Sequence, residues 1–352
     1  MVAPLLPADL QWRAHRQTET SSGEDPAQRT LERRLRLGVI LLDKPRGPTS
    51  HQVAAWVKQI LRIPKAGHGG TLDPNVTGLL PITLGESTKG TIGLHAGDKE
   101  YVGILQLHRT IPKAQLSRMF AEFTGPVWQL PPVRSAVKRQ LRVRTIHELE
   151  LLEFEEGRRA LFRVRCDSGT YVRVLCHDVG EALGIGGHML ELRRTRTAGL
   201  SERDGLVTLQ VLTDAAHAWF EEKDPLPLQR LIRPVEELLV HLPAIVLKDS
   251  AVAAVAHGAP LLAPGIAAVS GGVSTGQLCR LLSIKGEVVA LATSGGDTDW
   301  LLTCRTGAVT STERVLIDRL LYRPSWQTRD RTTQADTAAA PRRRVTPDEV
   351  DG

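Results

Sequence analysis

The sequence predicts an α+β fold in two units, and three observations carry that reading. Between residues 38 and 200, strand-like and helix-like segments mix without the strict strand–helix–strand alternation of a doubly wound sheet. Four prolines then crowd the stretch EKDPLPLQRLIRPVEELLVHLP at 222–243, a natural boundary. Beyond it, short apolar runs separated by glycine turns fit a compact, mostly β unit of the half-open barrel kind. The 352 residues have room for both units, since domains run to roughly 100–200 residues each.

Residues 17–36 are polar and charged, and read as an extension with one short helix. GVILLDKP (38–45) is an apolar run ended by Pro45 and reads as a buried strand. Thr49 or Ser50 then caps a helix whose Val53, Val57, Ile60 and Leu61 share one face, with Pro64 as its stop. GLLPITLG and KEYVGILQL read as strands. PKAQLSRMFAEFTG reads as a helix turning Leu116, Met119, Phe120 and Phe123 inward. HELELLEF and ALFRVRCDSG form a hairpin, and GTYVRVLCHDVGEALGIGG is a helix ending in glycines. In the second unit AIVLKDSAVAAVAHGAPLLAPGI supplies a strand and a short helix, GQLCRLLSIKGEVVALAT two strands about a Lys-Gly turn, and ERVLI a last strand. The segment from Gln327 onward is poor in large apolar residues and is expected to be disordered.

Composition narrows the function classes. A net charge of +6 favours a polyanionic partner. Cys166, Cys176, Cys279 and Cys304 form no C-x-x-C pair, so a disulfide framework and a zinc site are both disfavoured and reduced intracellular thiols are expected. No apolar run approaches the about 18 residues of a membrane span, and MVAPLLPADLQWRAHRQ lacks the basic start and apolar stretch of a secretory leader.

The most pointed motif is GHGGTLDPNVTG (67–78), which sets five glycines and prolines around a single acid, Asp73. It is not a phosphate loop, because no lysine follows the second glycine pair. One acid and His68 make a poor metal cage. A fixed carboxylate and a plain Asp-Pro turn both remain open. GVSTG (272–276) formally matches G-x-S-x-G, but lies in a Gly/Ser loop without a strand–turn–helix context. In CDSGTYVRVLCHD (166–178) a strand turns into a helix start carrying Tyr171 and Arg173, suited to base stacking and anion pairing. A half-buried tyrosine and a surface arginine fit it as well. His177 and Cys176 point to different faces and read as structural. RSAVKRQLRVR (134–144) and ELRRTR (191–196) add five and three basic residues, and fit a face that tracks phosphates.

GHGGTLDP, KEYV, SGTYVRVLCHDVG and HMLELRRTR, in that order, resemble the pseudouridine synthases of the bacterial tRNA pseudouridine-55 type and their dyskerin relatives. LLDKPRGPTSHQVAAWVK and PPVRSAVKRQLRVRT extend the likeness across residues 38–200. HGAPLLAPGI, with its position, is similar to the small RNA-binding PUA domain. Only five residues separate Lys138-Arg139 from the strand near Thr145, and residues 1–36 form an extension. Both features resemble archaeal dyskerin homologues, the catalytic subunits of H/ACA guide-RNA particles.

The resemblance implies a mixed, largely antiparallel sheet with flanking helices over 37–240 and a β-barrel-like PUA domain over 241–323. Residues 1–36 would be an extension packing on the PUA domain, and 324–352 a polar tail whose PRRR (341–344) is its one basic cluster. It implies isomerisation of uridine in rRNA or tRNA, with no cofactor and no metal, in the cytoplasm. Asp73 would be the nucleophile, assisted by Tyr171 near carbon 5 of the base and by Arg173 pairing with Asp73. Tyr101, Leu192, His68, Lys44, Lys138 and Arg139 would contact RNA or the loop. Val174 stands where the family commonly has threonine, a change expected to be tolerated. The implied partners are tRNA, rRNA and guide RNA, with the zinc-ribbon, glycine-arginine-type β-barrel and kink-turn-binding proteins of the particle. A non-catalytic RNA-binding scaffold is the competing reading.

Overall fold

The protein is described from a computed structural model, over residues 5–13, 23–132 and 138–317. Its first unit is one long sheet. Starting from the short strand Arg233–Pro234, neighbours run Gly38–Lys44, Thr77–Leu84, Gly187–Thr197, Lys99–Leu107, Arg159–Cys166, Arg142–Glu155 and Gly125–Gln129. Pairing is antiparallel except where Thr77 and Gly78 run parallel to Arg193 and Arg194.

Lys99–Leu107 alternates buried and half-buried along its length, the period of a strand with one face on the core. Gly103 lies at its centre, where a Cβ would come within 2.7 Å of the Leu192 side chain and 2.9 Å of the Phe162 ring. That glycine therefore lets Leu192 press against the strand. The helix Ser50–Ile60 starts at Thr49, whose hydroxyl accepts from the Gln52 N–H while Gln52 returns a bond to the Thr49 N–H. Val53, Val57 and Leu61 are buried beneath it.

Several boundaries differ from expectation. The Ser50 helix ends at Ile60, before Pro64, because the chain turns through Arg62 at φ 53°. The long hairpin strand begins at Arg142 rather than His147. Part of the basic run is therefore ladder, paired with the unanticipated strand Gly125–Gln129. Residues 133–137, Arg134 among them, lie outside the described residues, as do 318–352 with the expected tail and its PRRR.

The second unit is a six-stranded sheet. Its strands neighbour one another in the order Gln11–Trp12, Ile266–Val269, Ala244–Leu247, Leu278–Leu282, Val288–Ser294 and Thr310–Val315. Residues from the extension thus form its edge. Farther along the extension, the buried Arg29 places two nitrogens on the Glu236 carboxylate at 2.8 and 2.9 Å and reaches Glu287 at 3.2 Å. These carboxylates raise its affinity for its proton against the opposing effect of burial.

Residues 222–243 are not a free tether. Arg233–Pro234 pairs with Gly38 and Val39. Val235, Leu238 and Leu239 pack into a cluster that joins Val39, Leu41 and Leu79 of the first unit to Ala244, Val246, Leu282 and Leu291 of the second. The four cysteines are unpaired. No helix among the described residues is long and apolar enough to cross a membrane.

Candidate active site

The loop carrying Asp73 is held from beneath by two buried polar side chains. Ser50 Oγ accepts from the Leu72 N–H at 2.8 Å and donates to the Leu72 carbonyl at 3.2 Å. Lys44 Nζ donates to the carbonyls of Pro45, Pro74 and Val76 at 3.0, 3.1 and 2.9 Å. Leu72 and Val76 plug into the core on either side of Asp73. The carboxylate is thereby raised on a loop anchored at both ends, and the Asp-Pro turn is part of the mount.

Lys44 is expected to contact RNA or the loop, and here it meets the loop. It is fully buried, and its three donors are taken by the loop. Burial pulls its pKa down while the Asp73 charge pulls it up. Its work is mechanical and electrostatic, from below.

Asp73 opens into a cavity of about 340 Å³ lined also by Tyr101, Tyr171, Arg173, Leu192 and Arg194. Arg173, in the first turn of the helix Val172–Ala182, reaches Asp73 Oδ2 at 3.3 Å. The two side chains are 50% and 49% exposed. Tyr171 stands immediately before the helix, and both its backbone groups are bound by the Gln129 amide. Val174 does not line the cavity.

The floor is more cationic than the sequence suggested. Arg194 is buried, donates to the Leu79 carbonyl at 2.8 Å and to the Gly70 carbonyl at 3.4 Å, and lies beside Tyr101. Burial pushes the Tyr101 pKa upward, with Arg194 opposing it, so the phenol keeps its proton at neutral pH. Lys99 also lines the cavity, and burial drives its pKa down to about 8.

This corrects the expectation for ELRRTR. Arg194 is internal, and Arg193 is spent on Asp43 at 3.0 Å and Glu202 at 2.9 Å. Arg196 is the most exposed of the three.

His68 does not line the cavity; it lies on the short strand Ala66–His68, edge-on to His51 with ring centroids 4.6 Å apart. Burial and the neighbouring cations lower its pKa. Lys138 and Arg139 are exposed and also lie off the cavity wall. Among described residues, Asp98, His147 and Asp167 bring three possible metal-ligand atoms within 4.8 Å of one another. Both acids already have partners: Arg165 holds Asp98 at 2.8 Å and the Thr145 N–H holds Asp167 at 2.8 Å. Burial alone would raise the Asp167 pKa, but bonds from Thr145 and His147 hold it below the ordinary value.

Sequence reasoning missed Gln129, Lys99, and the inward role of Arg194. The positions of KEYV and LRR were visible. Nothing local to them announces which charges turn inward.

Known proteins carry the same architecture. The description "TruB family pseudouridylate synthase (N terminal domain)" matches residues 58–172, and "tRNA pseudouridylate synthase B C-terminal domain" matches 173–240. A DKCLD domain matches 5–54 and a PUA domain 243–316. A probable tRNA pseudouridine synthase B of Methanosarcina barkeri is 48% identical over 309 residues, 88% of this chain and 91% of that protein. Its Pyrococcus furiosus counterpart is 43% identical over 336 residues, covering 94% and 98%.

Among solved structures, the archaeal box H/ACA sRNP Nop10–Cbf5 complex superposes with a TM-score of 0.84 at 40% identity, covering 92% of this chain and 100% of the matched one. An H/ACA RNP bound to a substrate RNA containing 2'-deoxyuridine gives 0.83 at 40% identity, covering 90% and 97%. From the Asp73 loop to the last strand of the second sheet, the likeness is continuous, and the chain belongs to the TruB/dyskerin-type pseudouridine synthases that carry a PUA domain.

Proposed function

We propose that this chain turns uridine into pseudouridine in RNA, with Asp73 acting on the ribose of a base flipped into the cavity. The Asp73–Arg173 pair at the cavity wall is the observation that carries the reading. A nucleobase buried in a duplex is out of reach of any carboxylate, so the uridine first leaves its stack. A cavity of about 340 Å³ accommodates a nucleobase. Tyr101 offers a ring face to the base, and Leu192 an apolar surface beneath it.

The bond between N1 and the ribose breaks either by attack of Asp73 on the ribose carbon or by proton abstraction leading to a glycal. Both routes pass negative charge from the carboxylate to the departing base. Arg173 remains beside that charge throughout. The base then turns and rejoins the ribose through carbon 5, which breaks the Asp73–ribose bond in the first route and takes the abstracted proton back from Asp73 in the second. Carbon 5 then loses its proton with help from Tyr171 as N1 gains one. No electrons are exchanged and no group leaves the site, so the reaction itself calls for neither a redox cofactor nor a metal.

Residues 37–240 act as the catalytic part and 241–323 as the RNA-holding PUA part in this reading. Lys138 and Arg139, exposed and off the cavity wall, contact RNA outside the cavity in this reading, and His68 contacts RNA or the loop. The related structures, with Nop10, with Nop10 and Gar1, and with a substrate RNA, support an H/ACA particle as the setting, and rRNA is the substrate assigned to that setting in this reading. The relatives named for tRNA support a second, guide-free substrate. The unpaired cysteines fit a cytoplasmic site of action. An intact carboxylate–arginine pair in a nucleobase-sized cavity argues against a scaffold without chemistry.

The deciding assay measures pseudouridine in rRNA fragments and in a tRNA, each with and without guide RNA and particle proteins. Pseudouridine confined to guided arms assigns the particle, and its appearance in bare tRNA assigns the guide-free activity. Absence from every arm sinks the proposal.

A further inference from the structure

Gln129 ends the edge strand Gly125–Gln129 of the first sheet, and only 2% of its surface is exposed. Its side chain turns inward and binds both backbone groups of a single residue 42 positions away. The Tyr171 N–H donates to Gln129 Oε1 at 2.9 Å, and Gln129 Nε2 donates to the Tyr171 carbonyl at 3.2 Å. The same carbonyl accepts the Leu175 N–H at 3.0 Å, the first bond of the helix.

Tyr171 occupies the N-cap position, and no side chain of its own caps the helix. Its N–H is one of the donors that a helix start leaves without an internal partner. A buried amide spent on the backbone of one residue is costly to place unless both its ends are satisfied. Here both are, and together they fix the rotation of the backbone on either side of the Tyr171 α-carbon. Arg173 follows two residues later, in the turn that this carbonyl opens. Three residues beyond Gln129 the chain reaches Pro132, which lines the cavity. One edge strand thus leads both to the clamp and to part of the wall.

We propose that Gln129 is a positioning residue: its amide sets Tyr171, and through the first helical turn Arg173, against Asp73. Its importance for catalysis rests on the activity proposed above; the clamp itself does not. An apolar residue of the same length would fill the space but leave the helix start free to rotate, and the Asp73–Arg173 distance would drift.

The test uses the full chain with Gln129→Met, which keeps side-chain length and volume and removes both hydrogen bonds. Two measurements are made. The first is the single-turnover rate of pseudouridine formation beside RNA affinity. A displacement of about 1 Å at a reacting group costs up to about 100-fold, so the rate should fall about 10- to 100-fold. RNA Kd should stay within about twofold. The second is hydrogen exchange at the Tyr171 amide. It should be protected in the unsubstituted protein and exchange at least about tenfold faster in the variant, while the amide of Val179 deeper in the helix is unchanged.

A variant at full rate, a loss confined to Kd, or a loss confined to melting temperature overturns the proposal. So does a Tyr171 amide in the unsubstituted protein that exchanges like an exposed loop, a result that needs no folded variant. If the unsubstituted protein is inactive on every RNA, the activity reading fails, while the exchange data still judge the clamp.

Discussion

Replacing Arg173 by alanine separates what the Asp73–Arg173 pair contributes to folding from what it contributes to chemistry. At 3.3 Å, two unit charges interact by about 1.3 kcal/mol in bulk water and about 5 kcal/mol at an effective dielectric of 20. With both side chains half exposed, the free protein sits near the first figure. Ordering the long arginine reduces the net contribution below about 1 kcal/mol. Arg173→Ala should therefore lower unfolding free energy by less than about 1 kcal/mol in a urea titration.

Once a base fills the cavity and excludes water, the pair moves toward the second figure, just as charge passes to the departing base. The gap of about 3–4 kcal/mol corresponds to about 10²- to 10³-fold in rate. Single-turnover pseudouridine formation should slow by that factor with little change in RNA Kd. Arg173→Lys should recover only part of the loss, since an ammonium lacks the planar fork. A rate within about tenfold of the unsubstituted protein, or a defect wholly in binding, would refute the reasoning.

Asp73→Asn keeps the shape of the side chain and removes its charge; isomerisation should disappear while RNA affinity changes by less than about threefold, and substantial residual activity would remove Asp73 from its role. Lys44→Met strips three carbonyls of a buried ammonium and should cost about 3 kcal/mol of stability in denaturant titration; a cost below about 1 kcal/mol would show that the loop holds itself. Lys99 yields a pH signature. Its folded pKa of about 8 lies below the ordinary lysine value of 10.5, so between those limits the unfolded chain holds the extra proton and this group makes stability rise with pH. The slope is at most about 1.4 kcal/mol per pH unit, and Lys99→Met should abolish that share; identical pH–stability curves for the two proteins would contradict the burial argument.

Local patterns were legible to the residue in places. KEYVGILQL is the strand Lys99–Leu107 with the expected bounds, because its alternation is a property of nine consecutive residues. Thr49 with Gln52 gives the start of the Ser50 helix, since capping works within one turn. Less visible was whatever depends on partners distant in sequence. Nothing next to Lys44 in sequence says that it is buried, until the carbonyls of Pro74 and Val76 accept its hydrogen bonds. The arginines of ELRRTR read alike, yet Arg194 turns inward beside Tyr101, and a register shift in the pairing with Glu100 and Tyr101 leaves Arg196, two residues on, outside. The members of the candidate site could be named from their motifs, but which of them face the cavity and which hold it from behind is decided by the sheet.

The strand Gln11–Trp12 has a consequence for how the protein is made. It leaves the ribosome long before its partner Ile266–Val269, which belongs to the second sheet. Arg29 waits in the same way for Glu236 and Glu287. The first sheet has all its strands once Arg233–Pro234 is synthesised, while the early residues must be kept from wrong partners until the last unit emerges. Gln11–Trp12 and Arg29 can therefore dock only after the second sheet has been made.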